Sequence, residues 1–187
     1  MSIYFLGPLY SLEEEDRILA MTRQRPSNAP NVYQWNLIRG MEEALDQPLE
    51  ILNALPVGTW PRACKQFMLP NRPWRNGAAS CHEVGCLNLP FFKQAMRAAK
   101  AKRLLKKLLR PGDRVVLYSA YMPFLKALSR LPRDITVNVI IPDLPEFYDL
   151  GATSPLRRML RRWQNRMVYR YLSRVDRFVL LTRQMTE

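Results

Sequence analysis

The stretch Asp113 to Ile141, "DRVVLYSAYMPFLKALSRLPRDITVNVII", decides the fold. Val115 to Tyr118 and Val137 to Ile141 are nearly unbroken apolar runs rather than alternating ones. Central strands of a parallel sheet, buried on both faces, have this pattern. Between them "PFLKALSRL" reads as a helix, with Pro123 suited to its first turn. Strand, helix, strand is the repeating unit of an α/β sheet.

The same alternation extends in both directions. Ser2 to Leu6 is a short apolar strand that runs into Gly7-Pro8. Residues 10–30 form a long polar loop with one helical turn. In "NVYQWNLIRGMEEALDQ", Asn31 can cap a helix on which Val32, Trp35, Ile38, Met41 and Leu45 recur at helical spacing. "PLEILNALPV" is the second strand, and the Pro-rich stretch that follows leaves room for two antiparallel strands. A long helix from about Pro90 to Leu109 stops at Pro111-Gly112. A basic helix covers roughly Ser154 to Ser173. Arg177 to Leu181 is a closing strand, and Thr182 after it is a good helix N-cap. The expected fold is α/β: a Rossmann-like open, mostly parallel sheet flanked by helices, with a small antiparallel excursion around 60–90.

The chain has 29 Lys and Arg against 16 Asp and Glu, a formal charge of +13. Such an excess calls for an anionic partner: nucleic acid, anionic lipid or a phosphorylated substrate. Cys64, Cys81 and Cys86 are an odd number at no disulfide-framework spacing, which fits a reducing, cytoplasmic setting. The apolar start lacks the basic segment and cleavage site of a signal peptide. No run reaches the roughly 18 apolar residues that cross a bilayer, so any membrane contact would be peripheral.

Open α/β sheets bind ligands beyond the carboxyl ends of their strands. Three such points carry candidate residues. Gly7 and Pro8 follow the first strand, as a binding loop or a plain turn, without a dinucleotide-type glycine pattern. Ser119 and Tyr121 follow the third main strand and could meet a sugar hydroxyl or phosphate, or simply cap the next helix. Asp143 and Glu146 follow Ile141 in a loop stiffened by prolines; fixed carboxylates accept from polyol hydroxyls, although Asp143 could equally close a turn. Cys81-His82 and Cys86 match no zinc spacing, and strand alternation sends Cys81 and His82 to opposite faces. His82 is the sole histidine and completes no nucleophile triad, which argues against a stand-alone hydrolase.

The excess charge concentrates on two helices. The first carries Lys93, Arg97, Lys100, Lys102, Arg103, Lys106, Lys107 and Arg110 with no acid among them. In the second, Leu156, Leu160, Trp163, Met167 and Tyr171 form an apolar stripe, and Arg157, Arg158, Arg161, Arg162, Arg166, Arg170 and Arg174 surround it. Missing acids mean missing i,i+4 pairs, so the charge points outward to a partner. An anionic membrane surface fits, at about 1 kcal/mol for each nearby cation. A basic nucleic-acid-binding module is the alternative. It is disfavoured by the absence of a known motif and by aromatics placed on the apolar stripes.

Three segments also carry a resemblance. "DRFVLLTRQM" resembles the strand–loop–helix "DrfvlLTekM" that closes the N-terminal domain of bacterial family 4 glycosyltransferases, which have the GT-B fold. "VVLYSAYMPFLKAL" and "VNVIIPDLPEFY" resemble the two preceding strand–loop units. The motifs are specific from about Asp113 onward; earlier segments agree in pattern only. The resemblance implies that residues 1–187 are the acceptor-binding half of a retaining glycosyltransferase, inactive alone, working on a glycan or lipid-linked acceptor at the cytoplasmic membrane face. It places the nucleotide-sugar donor, and the family's Glu-x7-Glu motif, in a C-terminal domain absent from this sequence, with no cofactor in this half. Asp143 becomes the catalytic candidate and Thr182 a cleft-edge residue. Pro142 stands where many relatives carry a histidine, and Arg183 where they often carry glutamate.

Overall fold

The computed structural model describes residues 1–23, 27–90, 92–142 and 155–180. In chain order they form β1 (Ile3–Gly7), a 3-10 turn (Leu12–Glu14), α1 (Glu15–Met21), α2 (Ala29–Leu45) and β2 (Glu50–Asn53). Four short strands follow: β3 (Met68–Leu69), β4 (Arg72–Asn76), β5 (Ala79–Glu83) and β6 (Cys86–Leu87). The remainder is α3 (Phe92–Leu108), β7 (Arg114–Tyr118), α4 (Met122–Leu128), β8 (Thr136–Ile141), α5 (Pro155–Leu172) and β9 (Arg177–Leu180).

Seven strands make one sheet in the order β4-β5-β2-β1-β7-β8-β9, and β3 pairs with β6 in a small antiparallel ribbon. Every neighbouring pair of the large sheet is parallel except β4 with β5. This is the expected Rossmann-like α/β sheet with its antiparallel excursion. One detail was not legible in the sequence: the excursion enters the main sheet, because β5 runs parallel to β2 in the register Leu52 to His82.

Register explains the two cores. Leu6 sits beside both Leu52 and Leu117, and Leu117 beside Val139, so these side chains share one face. There they meet Ala101 and Leu105 of α3, Phe124 and Leu128 of α4, and Val168 and Leu172 of α5. Phe5, Ile51, Tyr118 and Ile140 point the other way, onto Trp35 and Ile38 of α2. Each aliphatic or aromatic side chain buried in this way contributes about 1.5–3 kcal/mol. A third, smaller core gathers Tyr10, Ile18, Leu55, Cys64, Leu69 and Cys86 beneath α1 and the ribbon.

Three local expectations are corrected. The segment after β1 holds a 3-10 turn and the two-turn helix α1, not a single turn. Helix α2 begins at Ala29, with Pro30 in its first turn. Asn31 is therefore not its cap; the side chain is buried and its Oδ1 accepts from the Tyr10 amide at 3.0 Å. On α5, Val168 and Leu172 are buried, whereas Trp163, expected on the same apolar stripe, stays 60% exposed.

Two polar ties close the lower edge of the sheet. Asp113 accepts from the amides of Ser2 (2.7 Å) and Arg110 (2.8 Å), clamping the start of β1 to the α3–β7 turn. Buried Arg174 donates to the carbonyls of Pro132 (2.7 Å) and Ile135 (3.1 Å), tying the end of α5 to the α4–β8 connection. Asp113→Ala strands two amides and is expected to lower unfolding stability by about 2 kcal/mol in urea titration. An unchanged midpoint would show that the clamp is idle.

Candidate functional site

The neighbours of β1 are β2 on one side and β7 on the other, so the chain leaves β1 in one direction and later returns on its opposite flank. Connections diverge at such a switch point and leave a crevice at the carboxyl ends of the strands. A cavity of about 490 Å³ lies there, lined by Pro8 after β1, Tyr118 to Met122 after β7, Pro142 after β8, and residues of α3 and α5.

The floor is set by close approaches. Gly7 ends β1 directly under Gln34 of α2, and a Cβ at that position would collide with Gln34 Oε1. Gln34 cannot move aside, because it is fully buried and its Nε2 donates to the carbonyls of Pro8 (3.1 Å) and Pro30 (3.0 Å). Gly7 is thus a packing requirement that positions Pro8. Ser119 turns the chain sharply, with φ +63 in the left-handed region and its amide donating to Ile140 O at 2.8 Å. A non-glycine residue held there costs about 1–3 kcal/mol, a form of strain that clusters at binding sites.

Tyr121 forms the wall leading into α4. Its hydroxyl accepts from Arg97 Nη1 at 2.7 Å, while Arg97 Nη2 donates to Leu55 O at 2.8 Å. Burial raises the pKa of the Tyr121 phenol, and the Arg97 charge only partly opposes it. The phenol therefore keeps its proton, and because the oxygen already accepts from Arg97, that proton remains free to be donated. Gln94 of α3 and Gln164 and Asn165 of α5 complete the polar lining. Among the described residues that line the crevice, none is charged. Amides and hydroxyls of this kind both donate and accept, as ligand hydroxyls do. Nothing in this set supplies a nucleophile or a general base.

Of the residues singled out from the sequence, Pro8, Ser119 and Tyr121 converge on the crevice and Gly7 lies just beneath it. Asp143, Glu146 and Thr182 lie outside the described residues. Two of the basic residues assigned to a membrane-facing surface are corrected: Lys93 and Arg97 are buried. Both sit in the first two turns of α3, facing the segment after β2; Lys93 Nζ donates to the carbonyls of Val57 and Gly58 (3.3 Å to the latter). Lys106, Lys107 and Arg162 are exposed and Lys100 is half-buried, while the side chains of Arg157, Arg158 and Arg161 are outside the described set.

The residues missed by the sequence reading are Gln94, Gln164 and Asn165, while Arg97 was singled out but for an outward-facing role. A signal existed: Gln94, Gln164 and Asn165 are the only side-chain amides on the two otherwise basic helices.

The remaining reactive groups are dispersed. Burial pushes the Cys81 thiol up to about 12, and it packs on the α2 side of the sheet. His82 instead lines a separate groove of about 520 Å³ with Arg72, Lys100, Arg103 and Lys107. Glu83 is buried there and pairs with Arg17 at 3.2 Å; burial raises its pKa, and Arg17 opposes the rise. Among the described residues, no three His, Cys, Asp or Glu side chains cluster as metal ligands would. None of their helices is long and apolar enough to cross a membrane.

Fold and site together define an α/β protein with a mostly parallel sheet and a neutral, hydrogen-bonding crevice at its switch point. Comparison with family models, curated proteins and solved structures returned no match for the chain.

The buried lysine offers a pH signature. Desolvation, reinforced by the nearby Arg97 charge, lowers the Lys93 pKa from 10.5 to about 8. Between those values the unfolded chain holds a proton that the folded chain has lost, so stability rises with pH across that window. Lys93→Met is expected to flatten the rise when urea midpoints are compared from pH 7.5 to 10.5; an unaltered slope would contradict the assignment.

Proposed function

We propose that the crevice binds the hydroxyls of a sugar, and that the chain is the acceptor-binding side of a retaining glycosyltransferase. One observation carries the sugar reading: among the described residues, the lining at the carboxyl ends of β1 and β7 offers three amides and the hydroxyls of Tyr118, Ser119 and Tyr121, with no charged side chain. A polyol needs neutral donors and acceptors of this kind in directed positions. The step from sugar binding to glycosyl transfer rests on the resemblance in "VVLYSAYMPFLKAL" and "DRFVLLTRQM". In this reading the donor nucleotide-sugar is bound by a second domain, and Asp143 and Thr182 remain the candidates of the sequence for catalysis and acceptor contact.

Exposed Lys106, Lys107, Arg162, Arg166 and Arg170 on the outer sides of α3 and α5 suit docking on an anionic membrane. A second reading has one observation in its favour. Trp163 and Tyr169 are 60% and 47% exposed among the arginines of α5, so a single-stranded nucleic acid could stack on them. Vesicle flotation and gel-shift titration at matched salt separate the two surfaces. The membrane reading expects salt-sensitive binding to anionic vesicles, and tight RNA or DNA binding without vesicle binding would favour the second.

The sugar reading is tested by ligand-observed NMR with a panel of methyl glycosides and short oligosaccharides. At least one should bind, and Asn165→Ala should weaken it by about 5–10-fold, the loss of one hydrogen bond worth about 1 kcal/mol. Binding by no member of the panel would sink it.

A further inference from the structure

Beyond β2 the sheet continues through β5 to the edge strand β4. The register sets His82 beside Leu52 on one side and Pro73 on the other, so all three share the face on which α3 packs. Between this flank of the sheet and α3 lies a groove of about 520 Å³. Small-molecule sites have volumes of about 300–1,000 Å³. His82 and Pro73 stand on the sheet wall, and Lys100, Arg103, Leu104, Lys107 and Leu108 on the helix wall.

Lys100, Arg103 and Lys107 follow one another at i, i+3 and i+7, a single stripe of α3. Like charges at this spacing repel and disfavour the helix that carries them. Among the described residues, no carboxylate pairs with any of the three. The acids nearby are engaged elsewhere. Buried Glu83 pairs with Arg17 at 3.2 Å, and Glu14 pairs with Arg17 at 3.0 Å and with Arg72. Arg72 is thereby neutralised at the groove, whereas the α3 stripe is not.

A cleft lined by one sign of charge between low-dielectric walls focuses its field on a counter-ion. The His82 imidazole, half-buried on the facing wall, adds an N–H donor even in its neutral form. Leu104 and Leu108, also half-buried, lie among the three cations and offer an apolar surface next to them. We infer that the groove binds a small soluble phosphomonoester, its phosphate held by Lys100, Arg103, Lys107 and His82 and its less polar body against Leu104 and Leu108. The inference uses no residue of the crevice, so it stands or falls apart from the sugar reading. A lipid headgroup offers the same phosphate chemistry, but a bilayer surface would rest on the rims of a walled groove without reaching His82.

The test is isothermal titration of the full chain with inorganic phosphate and with phenyl phosphate. Phenyl phosphate is expected to bind about fivefold more tightly, because its ring is withdrawn from water. Arg103→Glu is expected to weaken phenyl phosphate by about tenfold, since it turns a charge-assisted contact into a repulsive one. Lys106→Glu makes the same change of charge on an exposed residue outside the groove lining, and should leave the affinity nearly unchanged. Equal losses in the two variants would mean diffuse attraction and an adventitious ion only, and would overturn the inference. So would the absence of phenyl phosphate binding at millimolar concentration. Binding to phosphatidate vesicles that Arg103→Glu removes, without binding of phenyl phosphate, would give the groove to a lipid headgroup and also overturn it. Capture of a short single-stranded RNA that phenyl phosphate cannot displace would do the same.

Discussion

The Arg97 guanidinium is the constraint on which the crevice depends. It is sealed beneath α3 at 2% exposure, and no carboxylate pairs with it among the described residues. A buried charge must be met by hydrogen bonds, and this one is met by Leu55 O after β2 and the Tyr121 hydroxyl at the start of α4. Hydrogen bonds to charged groups contribute about 1.5–3 kcal/mol, more than neutral ones. The tie therefore sets the distance between two sheet-edge segments that the backbone ladder does not connect. Lys93, one turn earlier, repeats the arrangement on the carbonyls of Val57 and Gly58. The basic face of α3 thus divides by depth: its first turns brace the loop after β2, and its later turns face outward.

That division shows where sequence reading succeeds and fails. Charge counts cannot tell a buried arginine from an exposed one, because the burial of Arg97 follows from α3 crossing the 55–58 segment, a tertiary fact. The central strands were legible, since "VVLY" and "VNVII" are apolar on both faces and only a parallel interior accepts that. The strands β4 and β5, "RPWRN" and "ASCHE", were legible only as an antiparallel pair somewhere within 60–90, because neither is apolar enough to mark its own bounds. Their place in the sheet comes from pairing, with β5 joining the exposed edge of β2. In the crevice, Ser119 and Tyr121 could be picked out because topology alone sends the end of a central strand there. Gln164 and Asn165 stood out only as amides among arginines, since their place in the crevice depends on how α5 is rotated on the sheet.

The surfaces follow from the same geometry. Helices α3, α4 and α5 cover one face of the sheet side by side, so their outward residues form one continuous layer. Trp163, Arg162, Arg166 and Arg170 are exposed on α5, whereas Lys106 and Lys107 stand at the opposite end of α3 from the crevice residue Gln94.

Hydrogen–deuterium exchange with the tightest-binding glycoside of the panel tests the central claim most directly, because it maps the ligand without relying on any substitution. The account predicts slowed exchange at residues 119–123 after β7, around Gln94 of α3 and at Gln164 and Asn165 of α5, with β4 and β5 unaffected. Protection confined to the groove of Arg72, Lys100 and Lys107, or no protection at saturating ligand, would contradict it.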